Sequence, residues 1–222
     1  MSPTRPMPRL FVIRHGETEW SLNGRHTGRS DIPLTARGEE QIKANAPNLI
    51  GPGKIDPQNL AMVLVSPRQR AHKTFHLLFK DSGDVPHELT EEVREWDYGE
   101  YEGLLSSEIK QLKPTWAIWN DGCPGKDGES VDQMTKRVDG VINKVQEYHK
   151  RYVDGVEGAR RDVLIVAHGH LSRVLISRWI QFPLALGTHF NVEPAGVAIL
   201  SYNHNNLDEP ALNALNLHAS LR

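Results

Sequence analysis

The chain has 222 residues, 38 % of them hydrophobic, and a formal net charge of −2, which suits one large globular domain and argues against a nucleic-acid or anionic-membrane footprint. Cys123 is the only cysteine, so an intrachain disulfide framework and a cysteine-based zinc site are excluded. No apolar run reaches membrane-spanning length, and no Asn-x-Ser/Thr sequon occurs. A reducing, cytoplasmic setting is expected, with the nucleus also open, and a homo-oligomer is compatible with the composition.

Residues 1–222 read as a single domain with a loose, proline-broken lead-in at 1–8. Leu10–Arg14 reads as a short buried strand that runs into Arg14, His15 and Gly16. Thr35 is a candidate N-cap for a helix whose buried face carries Ile42, Ala46, Leu49 and Ile50. "GPGKIDP" breaks that helix. A second strand follows at Ala61–Val65, then a sharp Ser66-Pro67 turn and another helix, with Pro67 at its first position. The segment from Glu88 to Asp127 is acidic, aromatic and irregular. Ser130 caps a long amphipathic helix through about Tyr152, with Val131, Met134, Val138, Val141, Ile142 and Val145 inward. Val163–Ala167 is a third apolar strand, ending at His168-Gly169-His170 before a helix. "AGVAILSY" is the last strand, and residues 208–222 read as a peripheral tail.

Alternating strands and helices predict an α/β three-layer sandwich, a mostly parallel sheet with helices on both faces. Chemistry in such sheets sits beyond the carboxyl ends of the strands. Three strand ends here carry basic polar residues: Arg14-His15-Gly16, Ser66-Pro67-Arg68 and His168-Gly169-His170. Together they describe a cationic pocket suited to phosphate, since guanidinium donors match phosphate oxygens and helix starts present free N–H groups. Gly16 and Gly169 allow close backbone approach. A lone strand-end arginine is more often a surface ion pair, and His72, His76 and His149 receive no role. "HGH" lacks a third ligand for a catalytic zinc, "GPGK" lacks phosphate-loop spacing, and no G-x-G-x-x-G follows a strand.

"RHGETEW", "SPRQRAHKT", "REWDYGEYEG", "GES" and "AHGH", in that order, resemble the histidine phosphatase, or phosphoglycerate mutase-like, superfamily, over residues 9 to about 202. Within it, "REWDYGEYEG", "AHGH" and "AGVAILSYNHNNLDEPAL" look like the fungal sedoheptulose-1,7-bisphosphatase branch. The resemblance implies that His15 is a nucleophile forming a phosphohistidine, with Arg14, Arg68 and His168 around the phosphoryl group and no metal or other cofactor required. Physical chemistry agrees: Arg14 and Arg68 beside His15 disfavour its imidazolium, and a protonated His168 adds a third positive charge. Glu95 matches the proton donor to the leaving oxygen, with Trp96 and Tyr98 as an apolar wall. Glu92, Asp97, Glu100 and Glu102 compete, and the bland alternative for this run is a solvated acidic loop. Ser21, Thr27, Gly28, Tyr98, Gly169 and His170 are placed around the substrate. Ser21 stands where relatives often carry Asn, and Ser130 in "GES" is also readable as a plain helix cap.

The implied function is a phosphatase acting on small phosphorylated metabolites, sugar phosphates or bisphosphates such as sedoheptulose 1,7-bisphosphate favoured. A cofactor-dependent phosphoglycerate mutase is the alternative. The connection from Gly103 to Gly128 is short, with Lys110, Lys113 and Lys126 as its basic residues, which suits an open, hydrolytic site. A degenerate phospho-ligand or protein-binding module is the third reading, and intact Arg14, His15, Arg68, Glu95 and His168 argue against it.

Overall fold

The computed structural model describes residues 5–218. Six strands form one sheet: β1 (Leu10–Arg14), β2 (Leu60–Val65), β3 (His87–Leu89), β4 (Asp162–Ala167), β5 (Val197–Tyr202) and β6 (Pro210–Leu217), in the order β3-β2-β4-β1-β5-β6. The first four in that order are parallel; β5 runs antiparallel to β1, and β6 antiparallel to β5. The expected three-layer α/β sandwich is therefore present.

Strand alternation explains the two layers of helix. Successive side chains point to opposite faces, and fully buried strands carry apolar residues on both. Leu10, Val12, Val163 and Ile165 pack on one side with α6 (Val131–Val153) and α7 (Gly169–Trp179). Phe11, Ile13, Leu164 and Val166 pack on the other with α2 (Ala36–Leu49) and α3 (Gln69–Leu78). Short helices α1 (Glu19–Asn23), α4 (Ser106–Leu112) and α5 (Ile118–Asp121) lie in the connections. Thr35 and Ser130 cap α2 and α6 as expected, their side chains accepting from Gly38 N and Gln133 N. No helix among the described residues is long and apolar enough to cross a membrane.

Four expectations change. The first position of α3 is Gln69, not Pro67, and Arg68 is its cap; this shift matters at the site. The 88–127 segment is irregular only in part, since it holds α4, α5 and two 3-10 turns. The tail expected to be peripheral supplies β6, an edge strand that contributes Leu212 and Leu215 to the core. The lead-in is tied down where it is described: Arg5 donates to Tyr152 O and Pro8 O accepts from Ser201 Oγ. Residues 1–4 and 219–222, part of those two expectations, lie outside the described residues.

Candidate active site

The adjacent strands β2, β4 and β1 all end at one edge of the sheet. The residue after each is Ser66, His168 and His15, and all three are buried. His15 N donates to Ala167 O at 2.9 Å and Ser66 N to Val166 O at 3.1 Å, so the backbone ladder itself sets their spacing. The His15 and His168 rings meet edge to face, 5.2 Å between centroids.

Hydrogen bonding defines the proton positions on both rings. His15 Nδ1 lies 2.7 Å from Gly16 O; a carbonyl only accepts, so Nδ1 carries the hydrogen and Nε2 keeps its lone pair. Burial lowers the His15 pKa well below its ordinary value, with Arg70 and then Arg14 adding repulsion. His168 Nδ1 accepts from Arg70 Nε at 3.2 Å, and its Nε2 lies 2.7 Å from Ser66 Oγ. A guanidinium only donates, so His168 is the neutral Nε2–H tautomer. Burial, Arg70, His15, Arg68 and Arg14 all hold its pKa down. The third positive charge that His168 would add if protonated is therefore absent: in this cationic surrounding it is a neutral donor.

Arg70 is the residue that sequence reasoning missed. It is fully buried and donates to Ser30 O (2.8 Å), Thr27 O (3.0 Å) and Gly28 O (3.1 Å) as well as to His168. Arg68 instead pairs with Glu91 through two bonds of 3.1 and 3.2 Å, although its Nε is buried without a partner. The cation expected at position 68 beside His15 is thus Arg70. A helix beginning at Gln69 turns residue 70 inward in its first turn. Thr74, one turn on, accepts from Gly16 N at 3.2 Å and donates to Arg70 O at 2.7 Å, and an inward spacing of four on this helix was the available signal.

Glu95 is buried at the start of α7. Its Oε1 accepts from Trp96 N (2.9 Å) and Leu171 N (2.7 Å), and its Oε2 from His170 N (2.9 Å). Burial raises its pKa, against the pull of these three backbone donors and Arg70. Three of the four competitors are engaged elsewhere: Asp97 pairs with Arg29 and Arg94, Glu92 with Lys144, and Glu102 accepts from Gly28 N and Ser30 N.

A cavity of about 530 Å³ opens over this edge, lined by Arg14, His15, Ser21, Thr27, Glu95, Tyr98, Gly169 and His170 among others. Ser21 reaches the cavity, but its hydroxyl is spent in a capping box with Thr18 at the start of α1. Thr27 Oγ1 donates to Arg25 O. The Tyr98 hydroxyl, kept protonated by burial, lies 2.7 Å from His170 Nδ1. The Gly169 backbone passes between Arg14 and Glu95: a Cβ there would lie 3.5 Å from Arg14 Cζ and 3.7 Å from Glu95 Oε2. Gly28 does not reach the cavity. Its role is packing, since a Cβ would come 2.6 Å from Trp96 O. Gly16, expected to admit an anion, instead admits α2, because a Cβ would meet Ile42 Cδ1 at 2.5 Å. His26, Arg25, Lys110 and Arg173 also line the cavity, none of them expected there. The Arg173 guanidinium stacks 4.6 Å from the Trp119 ring centre and donates to Gly187 O and Thr188 O. Among the described residues, no three His, Cys, Asp or Glu are grouped to hold a metal ion.

A mixed sheet delivering two buried neutral histidines and two arginines to one edge, beneath a polar cavity, is the architecture of the phosphoglycerate mutase-like phosphatases. The chain belongs to the histidine phosphatase superfamily (branch 1), whose sequence pattern matches residues 10–216, and it is a phosphatase. It is 40 % identical to an acid phosphatase of Mycobacterium tuberculosis over 88 % of this chain and 87 % of the relative. It is 31 % identical to the sedoheptulose 1,7-bisphosphatase of Saccharomyces cerevisiae over 92 % and 91 %. Among solved structures, the product of the open reading frame Rv3214 from Mycobacterium tuberculosis superposes with a TM-score of 0.80 at 36 % identity, covering 96 % of this chain and 98 % of that one. The alpha-ribazole phosphatase of Shigella flexneri gives 0.76 at 28 %, covering 95 % and 97 %.

Proposed function

We propose that this phosphatase hydrolyses small metabolites carrying a second anionic group, sugar bisphosphates foremost, through a phosphohistidine on His15. The observation that carries the chemistry is the His15 Nδ1–Gly16 O hydrogen bond, which leaves Nε2 as a neutral nucleophile. Nε2 attacks phosphorus, the bond to the leaving oxygen breaks, and the Glu95 carboxyl gives that oxygen its proton. Glu95, now ionised, takes a proton from water; the water oxygen attacks phosphorus, the N–P bond breaks and phosphate departs. Two transfers replace one difficult displacement. Because the phosphoryl transition state is loose, positioning and charge supply most of the rate. In this reading Arg14 and the buried Nε of Arg68 donate to the phosphoryl oxygens, Arg70 sets the field, and neutral His168 keeps its Nε2–H on Ser66 Oγ. Thr27, Gly169 and His170 border the substrate.

The bisphosphate preference rests on charge beyond the strand ends. Arg25, Lys110 and Arg173 line the same cavity, and the guanidinium of Arg173 is held by stacking and by two carbonyls. The yeast relative, a sedoheptulose 1,7-bisphosphatase, points the same way. One folded domain in the cytoplasm, its single buried thiol free, belongs to this reading.

The test is a phosphate-release screen over C4–C7 sugar bisphosphates, phosphoglycerates and aryl phosphates, repeated with Arg173→Met. Bisphosphates should lead, and the variant should raise their KM about tenfold or more while monophosphates change little. An equal effect on both classes overturns the bisphosphate assignment, and interconversion of 3- and 2-phosphoglycerate without net release favours the mutase reading.

A further inference from the structure

Directly behind Glu95 lie two residues that touch nothing in the cavity. Glu129 precedes the Ser130 cap of α6, and Arg137 sits two turns into that helix. Their side chains are only 4 % and 10 % exposed, and they pair at 2.7 Å. A buried ion pair contributes little net stability against a well-packed apolar pair, because both charges lose their water. What this one holds is therefore informative.

Besides an ion pair from Arg94 to Glu129, a contact from Arg137 to Met134 Sδ and a bond from Cys123 N to Glu129 O, its other bonds go to the main chain or ring of the segment around Glu95. Arg137 Nη1 donates to Glu92 O and Arg94 O, both at 2.9 Å, and its Nη2 reaches Glu95 O at 3.4 Å. Glu129 Oε2 accepts from Asp97 N at 3.3 Å. The Glu129 backbone accepts from the Trp96 indole at 2.8 Å and donates to Asp97 O at 2.9 Å. Two residues thus hold the main chain or ring of residues 92, 94, 95, 96 and 97. A freely hinged loop would let the carboxyl drift, and drift of an ångström at a proton-transfer group costs far more rate than affinity.

We propose that Arg137 and Glu129 are positioning residues that hold the Glu95 carboxyl at the leaving oxygen. The proposal rests on Glu95 being the proton donor. It makes a demand that fold maintenance does not: the dependence on them must follow the leaving group. A nitrophenolate departs without a proton; the alkoxide of glycerol phosphate does not.

The experiment measures kcat/KM, which reports transfer to the enzyme, on nitrophenyl phosphate and glycerol phosphate for the whole chain and for Arg137→Met, Arg137→Lys, Glu129→Gln and Glu95→Gln. For Arg137→Met the expected result is a loss of about tenfold or more on glycerol phosphate, with nitrophenyl phosphate within about twofold. Arg137→Lys should fall between, since an ammonium cannot reproduce the fork of donors. Glu129→Gln keeps the shape and must show the same split, which serves should Arg137→Met fail to fold. If Glu95→Gln splits the substrates but the Arg137 and Glu129 variants depress both equally, or neither, the positioning role is wrong. If Glu95→Gln itself shows no split, the assignment of Glu95 falls, and this proposal with it.

Discussion

The two edges of the sheet both bury histidine, in different company. At the carboxyl edge, His15 and His168 sit between Arg14 and Arg70 under a 530 Å³ cavity. At the other edge, past the start of β1 and β4, His149 of α6 is sealed against Trp179 and Tyr202, its Nδ1 2.9 Å from the Tyr202 hydroxyl. Nearby, Asp162 is fully buried between Arg9 and Arg161. Burial lowers the pKa of His149 to about 4, so all three rings are neutral. Neutrality alone does not make a site. What separates the edges is access: one set of rings opens on a cavity with arginines around it, the other fills space in a core.

The comparison breaks most readily at the arginines. Arg70→Met should lower kcat/KM about 100-fold or more, because it removes the main charge on His15 and the partner that sets the His168 tautomer, whereas Arg68→Met should cost about tenfold. Steady-state phosphate release on both variants decides it, and the reverse ranking would return the leading role to Arg68.

Rate against pH gives the next largest effect. His15 must be neutral and its pKa is lowered, so activity should persist well below pH 6.5. Glu95 must be protonated and its pKa is raised, so kcat/KM on unactivated substrates should fall as pH rises through that value. The expected profile is a bell displaced to the acid side, and a rate that climbs steadily to pH 9 would contradict it.

The far edge should answer in stability instead. A histidine with a folded pKa of about 4 and an unfolded value of about 6.5 binds its proton more readily when unfolded. Its contribution is full above pH 6.5 and is lost as pH falls toward 4, on the order of 3 kcal/mol in all. Urea midpoints between pH 7 and 5 should therefore fall in the wild type and fall less steeply in His149→Gln, with kcat at pH 7 unchanged. The smallest effect belongs to Ser21: Ser21→Ala should cost about 1 kcal/mol through the lost capping box, with KM nearly constant.

The strand endings made the carboxyl edge legible in the sequence, because an apolar run that stops on Arg-His-Gly or His-Gly-His has few other uses. Arg70 was not legible in the same way. Two arginines stand two residues apart, and which one turns inward depends on where α3 begins, a matter of one or two residues that Pro67 pointed to wrongly. Gly28 misled for a related reason: it sits inside a site motif but serves a close backbone crossing, while Ser21 does border the cavity with its hydroxyl engaged in a helix cap. The protonation of His168 followed only from Arg70 being beside it. β6 was missed because an edge strand buries too little of either face to show a clean alternation.

The most direct test of the whole account is a rapid quench with a labelled sugar bisphosphate, followed by base- and acid-stability analysis of the bound label. An acid-labile, base-stable phosphoryl group on His15, absent from His15→Ala along with turnover, is the expected result. Full turnover by His15→Ala, or label on another residue, would contradict it.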